Sequence, residues 1–464
     1  MPMLDHTTTD APQADTRTLD LDLAAAGVAG VIITWADNNG IPRSRTVPVE
    51  QFTAATERGI GITPLFAVFD SHDTITFDHP PLGTPSGDIR LTPVTDRIVH
   101  LAGQPAFAWA PGRQIAPDGS PWPYDQRTAL ERQLARAADL GITIRAGYEI
   151  EFHLSPADDT GDDPRPIYDG PSYGPAKMLA VDAFAEQLLR DLNRNGIPIG
   201  QLHGEYGPGQ YELNIAPADP LTAADHQLLT RQTIHAAARN HGLRASFAPL
   251  VTPGHVGNGW HLHTSPSRDG DNLLSGGDGP AGITPQGAAY LAGLLRDLPA
   301  IAAITAPSLS SLQRLRPGYW SGAYTCWGVE NREAALRLVP ATPLLGPHHA
   351  NLELKPSDAS ANPYLALTAV IAAGLSGIED ALTPPGPVQE DPATWTEQQR
   401  ADHGIHRLPT TVQQQLDALL NNSRIRTALG EEITGAFRAV RTSDAGRATG
   451  LDPADIVRAY RWLY

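Results

Sequence analysis

Apolar and polar residues alternate through residues 142–154. The even positions are all apolar, while the odd positions include Glu149 and Glu151. Because successive side chains of a strand point to opposite faces, this pattern predicts a strand that buries one face and directs both glutamates from the other. Two like charges about 7 Å apart on one face are disfavoured unless a cation lies between them. For an isolated pair, a solvent-facing strand with two unliganded glutamates would be the favoured interpretation.

Three further segments show the same alternation beside glycine-rich turns, and they favour the cation. They are residues 203–212, 257–265 and 351–355. The polar side chains that they can direct to one side are Glu205 and Glu212, then His261, His263 and Ser265, then Glu353 and Lys355. Strands that bury one face and present carboxylates or imidazoles on the other predict a shared polar pocket.

The segments around this pocket predict two domains. Residues 28–49 read as two strands joined by a turn at residues 37–40, and short strand signals continue to His100. A stretch rich in Pro and Gly, residues 111–123, then leads to a helix over residues 125–140. Further helices are predicted over residues 179–195, 222–241, 286–304 and 362–380, and in the chain after Thr410. The predicted divisions are a mobile tail (1–20), a β-rich domain (21–115) and a large second domain (116–464) that holds the polar segments.

Composition narrows the class of protein. The net charge of -17 disfavours a nucleic-acid partner, which usually needs a basic face. Cys326 is the single cysteine, and the first twenty residues lack the basic start and apolar run of a signal peptide, so we expect a cytoplasmic protein. The apolar run 365–378 is too short to cross a bilayer, so we expect no membrane partner.

The predicted ligands favour a hard divalent ion. Carboxylates with a single imidazole suit Mg²⁺ or Mn²⁺, ions that commonly neutralise nucleotide phosphates. Zinc fits less well because the chain has no cysteine pair. Arginines concentrated between residues 314 and 337 predict a phosphate clamp, although surface arginines are the simpler alternative.

From about residue 20 to the end, the chain resembles the glutamine synthetase superfamily. Six motifs occur in the family's order. They are E-x-E at Glu149 and Glu151, E-x-G-x-G-Q-x-E at 205–212, G-x-G-x-H-x-H-x-S at 257–265, R-L-x-P-G-Y at 314–319, N-R-x-x-x-x-R at 331–337, and E-x-[RK] followed by A-N-P-Y-L at 353–365.

The resemblance implies an α+β fold, with a small β-grasp-like N-terminal domain and a large α/β catalytic domain whose antiparallel sheet lines the metal site. It implies ATP and two or more Mg²⁺ or Mn²⁺ ions. One ion would be held by Glu151, Glu205 and Glu212, and another by Glu149, His261 and Glu353. Arg332 and Arg337 would hold phosphates, and Arg332 would also be catalytic. His263 and Ser265 would lie near the nucleotide. The residues in contact with substrates would be Gly257, His261, Arg314, Trp320 and Lys355.

The resemblance also implies a homo-oligomeric ring, a dodecamer in the family, with active sites shared between neighbouring subunits. An acidic residue of the small domain would act in the next subunit's site. Asp70 is the first candidate to orient or deprotonate the amine, and Asp73 and Asp88 are the alternatives.

Departures from the family pattern bear on the substrate. Ammonia-using members carry a glutamate directly after P-G-Y, where this chain has Trp320, while Val256 and Lys355 replace a usual asparagine and arginine. These changes are similar to the γ-glutamylamine synthetases, which join glutamate to ethanolamine, polyamines or alkylamines. Trp320 could stack on an alkyl chain or attract an ammonium, or simply pack the flap. An ammonia-dependent glutamine synthetase and a catalytically silent homologue are the alternatives.

Overall fold

The structure is a computed structural model that describes residues 16–464, with side chains from residue 20 onward. Over this range the chain forms two sheets and fourteen α-helices. The mixed architecture confirms the predicted α+β class. The predicted tail lies outside the described residues up to residue 15, and residues 16–20 belong to a helix.

The first sheet lies in the N-terminal part. Its strands are β1 Gly30–Ala36, β2 Pro42–Pro48, β3 Ile60–Ile62, β4 Ile89–Pro93, β5 Val99–His100 and β6 Phe107–Ile115. Their order is β2-β1-β6-β4-β3, with β5 also paired to β6. Strands β1 and β6 run parallel, while β2 returns antiparallel beside β1 as the turn signal predicts.

The second sheet supplies the frame of the polar pocket. Its strands are β7 Thr143–Pro156, β8 Ile199–Gly204, β9 Gln210–Ala218, β10 Leu243–Ser246, β11 Trp260–Arg268, β12 Asp271–Asn272, β13 Trp327–Val329, β14 Leu336–Val339 and β15 Asn351–Leu354. The order is β13-β14-β15-β11-β7-β9-β8, with β10 beside β7 and β12 beside β11. Neighbours are antiparallel except β13 and β14.

Helices pack against both sheets. They are α1 Thr16–Ala25, α2 Phe52–Arg58, α3 Gln126–Asp139, α4 Pro175–Leu179, α5 Asp182–Arg194, α6 Pro220–Asn240, α7 Pro285–Thr305, α8 Leu309–Arg314, α9 Pro363–Glu379, α10 Glu397–Asp402, α11 Val412–Leu420, α12 Ser423–Leu429, α13 Glu431–Arg447 and α14 Pro453–Tyr460. Several begin at a side-chain cap: Asp125 accepts from the backbone of Thr128, and Asn362 accepts from Tyr364 and Leu365.

Helices α7 and α9 pack tightly against each other in the core. A Cβ at Gly293 would lie 2.2 Å from the carbonyl oxygen of Ala373, so the two backbones approach closely. Within the described residues, α7 is long and apolar enough to span a membrane by length and composition, but 78% of the window that meets this test is buried inside the protein. Such burial is typical of a core helix.

The turn between β1 and β2 packs against residues of the C-terminal part of the chain. The Asn362 side-chain amide donates to the carbonyl oxygens of Ala36 (3.1 Å) and Asp37 (3.0 Å). The buried guanidinium of Arg231 bridges the carbonyl oxygens of Gly40 and Ala359, each at 3.1 Å. These hydrogen bonds fix the turn of the first sheet against the segment that precedes α9.

Replacing Gly40 with alanine should lower the free energy of unfolding by about 2 kcal/mol or more. Gly40 has φ +66°, and a Cβ there would lie 2.5 Å from the Ala361 carbonyl oxygen. Gly27→Ala is the control, because Gly27 also has positive φ (+81°) but nothing lies within 4 Å of its Cβ position. Denaturant midpoints measure both. An equal decrease in the free energy of unfolding for Gly40→Ala and Gly27→Ala would contradict the close contact between Gly40 and Ala361.

Candidate functional site

Strand β7 carries two glutamates to the open face of the second sheet. All seven even positions from Ile142 to Leu154 are buried, as the alternation predicts. In the sheet register, Glu149 lies opposite His261 on β11, and Glu151 lies opposite Glu212 on β9. Pairing on the two sides of β7 therefore creates two adjacent clusters of polar side chains.

The first cluster contains Glu149, His261 and Glu353. His261 Nδ1 lies 3.1 Å from Glu149 Oε2 and 3.2 Å from Glu353 Oε1. Glu353 comes from β15, the other neighbour of β11, and its side chain is buried. One donor atom from each residue lies within 4.8 Å of those from the other two, so the three could hold one ion.

Two cations from neighbouring positions contact Glu353. Arg337 Nη1 donates to Glu353 Oε2 at 3.1 Å, and Lys355 Nζ donates to Oε1 at 3.3 Å. Burial alone would raise the pKa of Glu353, but Lys355 and the histidines outweigh it and lower that pKa to about 2. Glu353 is thus a carboxylate at neutral pH, despite its burial.

The second cluster contains Glu205, Glu212 and His203. His203 Nε2 lies 3.2 Å from Glu205 Oε1 and 3.9 Å from Glu212 Oε1, and these three also have donor atoms within 4.8 Å of one another. Sequence reasoning missed His203. Its position two residues before Glu205 places both on one face of an extended segment, and that spacing was the available signal.

Glu151 lies between the two clusters. Its Oε1 is 3.8 Å from His261 Nε2, and its Oε2 accepts hydrogen bonds from Gln210 Nε2 (2.7 Å) and the Gly259 backbone (2.8 Å). The structure brings together all six residues expected to bind metal. Their role as ligands stays a prediction.

Crowding of these carboxylates is electrostatically costly. Burial, with the charges of Glu151, Glu149 and Glu205, raises the pKa of Glu212 to about 10. Burial opposes ionisation of Glu149 as well, but hydrogen bonds from His261 and His263 lower its pKa below the usual range. Divalent cations would relieve the repulsion, and a donor set of carboxylate oxygens with imidazole fits Mg²⁺ or Mn²⁺.

Both clusters open into a cavity of about 920 Å³. The other predicted site residues that line it are Gly257, Arg314, Trp320, Arg332, Arg337 and Lys355. Arg314 is buried, and its Nη1 has no hydrogen-bond partner in the part of the chain described here. A buried guanidinium with an unused donor suits an anionic ligand such as a carboxylate.

His263 and Ser265 lie further along β11, outside the lining of this cavity. His263 Nδ1 is 2.9 Å from the side-chain oxygen of Asn351, and Nε2 is 3.5 Å from Glu149 Oε1. Burial would lower the pKa of His263, but Glu149 and Glu353 raise it to about 9, so the ring is cationic at neutral pH. Ser265 donates to the Ala350 carbonyl oxygen at 2.9 Å.

Asp70 does not reach the cavity of its own chain. It is buried in the N-terminal part, where it accepts hydrogen bonds from Ser443 and Arg447, each at 3.0 Å. Asp73 pairs with Arg43 at 2.6 Å, and Asp88 is exposed. None of the three lines the described cavity, so their role across a subunit boundary stays a prediction.

Trp320 stands at the cavity with about half of its surface exposed. Its φ of +52° is unusual for a bulky residue, and its backbone N–H donates to Glu333 Oε1 at 3.1 Å. The Arg332 guanidinium lies 5.7 Å from the centre of the indole ring. The indole is therefore presented to the cavity and already contacts a predicted phosphate-binding arginine.

A second cavity of about 1000 Å³ lies elsewhere, and sequence reasoning did not predict it. Val388 and Glu390 in its wall accept hydrogen bonds from Asn331, so it borders the segment that carries Arg332. Within the described residues, the two clusters of side chains that could hold a metal both lie at the first cavity, which Trp320 lines.

Comparison with known proteins agrees with this geometry. Residues 123–453 match the family "Glutamine synthetase, catalytic domain". The chain is 44% identical over 444 residues to the gamma-glutamylpolyamine synthetase GlnA3 of Streptomyces coelicolor, covering 96% of this chain and 95% of that protein. It is 31% identical to the glutamine synthetase of Pyrococcus horikoshii, covering 88% and 86%.

A solved structure supports the same assignment. The crystal structure of a novel glutamine synthase homolog superposes with a TM-score of 0.83 and 32% sequence identity, covering 94% of this chain and 99% of that one. The match spans both sheets, so the likeness includes the small N-terminal part as well as the catalytic part. The chain belongs to the glutamine synthetase family.

Proposed function

We propose that the protein is an ATP-dependent ligase that joins the side-chain carboxylate of glutamate to an amine bearing a carbon chain, with polyamines the favoured class. The observation that carries this proposal is Trp320, which presents an apolar ring to the cavity. By the resemblance described above, ammonia-using members of the family would have a glutamate at this position. The 44% identity to a gamma-glutamylpolyamine synthetase supports the same substrate class. Ethanolamine and simple alkylamines are the other candidates.

The reaction has two steps. The glutamate side-chain carboxylate attacks the terminal phosphorus of ATP, and ADP leaves with formation of γ-glutamyl phosphate. The amine nitrogen then attacks the acyl carbon, phosphate leaves, and the nitrogen loses a proton. Bound Mg²⁺ or Mn²⁺ would neutralise phosphate charge during the transfer.

The chain's own residues would bind and orient the reactants. Arg332 and Arg337 would hold phosphate oxygens, and Arg314 would donate its unpaired Nη1 to a carboxylate of glutamate. Lys355, already directed into the cavity by its contact with Glu353, would contact the same substrate. Asp70 of a neighbouring subunit would accept the proton of the amine.

A screen of amines tests the substrate. With ATP and glutamate present, we expect kcat/KM for spermidine, diamines or alkylamines to exceed that for ammonium by about ten-fold or more, because two buried methylenes contribute roughly 1.6 kcal/mol. Phosphate release and mass spectrometry of the product measure it. Glutamine made from ammonium with the highest kcat/KM would favour a glutamine synthetase, as in the 31% identical relative. No turnover with any amine would indicate a silent homologue.

Chelation tests the metals. We expect EDTA to abolish phosphate release and added Mg²⁺ or Mn²⁺ to restore it, because five carboxylates face one another at the cavity. Calorimetric titration of the protein with Mn²⁺ provides a binding readout independent of turnover. Full activity in EDTA would contradict the metal sites.

The proposal includes a homo-oligomeric ring, by resemblance a dodecamer, in the cytoplasm. Shared active sites would explain why Asp70 lies outside the cavity of its own chain. Light scattering tests the assembly, and an active monomer at assay concentration would contradict it. Cell fractionation tests the location.

A further inference from the structure

Four exposed aromatic side chains line the cavity that holds the two clusters: Tyr173, Tyr206, Tyr319 and Trp320. They belong to three separate segments of the chain, so no local repeat explains their convergence. Exposed aromatic surface concentrated at a pocket commonly marks a ligand contact.

Three of these rings already have partners. The Arg316 guanidinium lies 3.9 Å from the ring centre of Tyr319, and the Arg332 guanidinium covers Trp320. Tyr173 donates its hydroxyl to Glu205 Oε2 at 2.9 Å and stacks on the ring of His203. A further cation would therefore compete with an existing partner at each of these rings, although Trp320 keeps about half of its surface exposed for the carbon chain of the amine.

Tyr206 differs from the other three. Its backbone is held, because its N–H donates to Glu205 Oε2 at 2.6 Å and its carbonyl oxygen accepts from Ser172 Oγ at 2.7 Å. The residue is 61% exposed. Among the side chains that the structure describes, from residue 20 onward, neither its ring nor its hydroxyl has a hydrogen-bond, aromatic or cationic partner. A fixed backbone thus presents an open ring beside an acidic cluster.

We propose that the ring of Tyr206 is a subsite for the second cationic group of an elongated amine, whose first nitrogen reacts deeper in the cavity. This inference rests on the proposed function and deepens it by selecting di- and polyamines over monoamines. An aromatic face attracts an ammonium group and also packs against the methylenes beside it. The Glu205 carboxylate, which accepts from the Tyr206 backbone N–H, places a negative charge directly beside this residue.

The test compares two amines with the same four-carbon chain, butylamine and putrescine, which differ in the second nitrogen. The measured quantity is the ratio of kcat/KM for putrescine to kcat/KM for butylamine. We expect Tyr206→Leu to lower this ratio about three- to ten-fold, the size of a cation–π contact. Tyr206→Phe keeps the ring and should keep the ratio. Tyr319→Leu is the matched control, because Arg316 already covers that ring.

The outcomes separate this inference from the proposed function. Turnover of both amines with an unchanged ratio in Tyr206→Leu would overturn the subsite and leave the proposed function standing. A lower ratio in Tyr206→Phe as well would assign the effect to the hydroxyl, and so reject the ring. If Tyr206→Leu forms a smaller assembly than the wild type by light scattering and loses kcat/KM equally for both amines, Tyr206 belongs to a subunit interface and the subsite is rejected. Failure of the wild type to use any amine would overturn both proposals.

Discussion

Replacing Glu353 with glutamine should lower amine-dependent phosphate release by about a thousand-fold, the order of loss when a preorganised charge contact is removed from an active site. The substitution keeps the size of the side chain but removes the charge that His261, Arg337 and Lys355 share. Three positively charged or polar groups would then face one another around a neutral amide in a buried position. Both the predicted metal site and the orientation of Arg337 would be lost.

The control for this variant is Glu330→Gln. Glu330 also pairs with Arg337, but it is half-exposed and lies outside the cavity lining. We expect it to change the rate less than about five-fold, as for a solvent-screened ion pair. Circular dichroism should show both variants folded, and calorimetry should show weaker Mn²⁺ binding for Glu353→Gln alone. A wild-type rate in Glu353→Gln, or equal losses in the two variants, would contradict the role of Glu353.

Much of the site was predictable because period-two patterns report which side chains share a face. The buried even positions of β7 and the shared face of Glu353 and Lys355 follow from that rule alone. Which strands lie next to each other in the sheet did not follow from that rule. That Glu149 lies opposite His261, and Glu151 opposite Glu212, depends on pairing between segments far apart in sequence.

Residues that act through tertiary contacts were harder to find. His203 joins a cluster through its distance to Glu205 and Glu212, and a lone histidine carries little signal by itself. The turn at residues 37–40 was predictable from its composition, but its burial against Asn362 and Arg231 was not. Turn chemistry describes only the local backbone, whereas burial depends on which distant segment covers it.

The helices were predicted well because their caps and stops are local. The helix expected over residues 125–140 is observed at Gln126–Asp139, with Asp125 as its cap. The role of Asp70, in contrast, does not depend on local sequence. Its predicted partner is the cavity of another subunit, so neither local pattern nor the fold of one chain can test its role.

Replacing Trp320 with glutamate should shift the substrate preference of the enzyme from an amine with a carbon chain toward ammonium. The variant removes apolar surface from the cavity and adds a carboxylate that can bind a small cation and accept its proton. We expect kcat/KM for an alkylamine to fall about ten-fold, from the loss of contact with two methylenes, and kcat/KM for ammonium to rise by a similar factor. The ratio of the two would thus change about a hundred-fold.

Trp320→Gln separates the two effects, because it removes the ring without adding a charge. It should lower kcat/KM for the alkylamine but leave kcat/KM for ammonium near the wild-type value. The higher kcat/KM for ammonium in Trp320→Glu would then be caused by the carboxylate. Loss of the indole also frees Arg332, and a raised KM for ATP in both variants would report that contact. The backbone at φ +52° is equally strained with either side chain, so differences between the variants do not arise from the turn. A wild type that prefers ammonium to every amine, or a Trp320→Glu variant with an unchanged ratio, would show that the indole does not select the substrate.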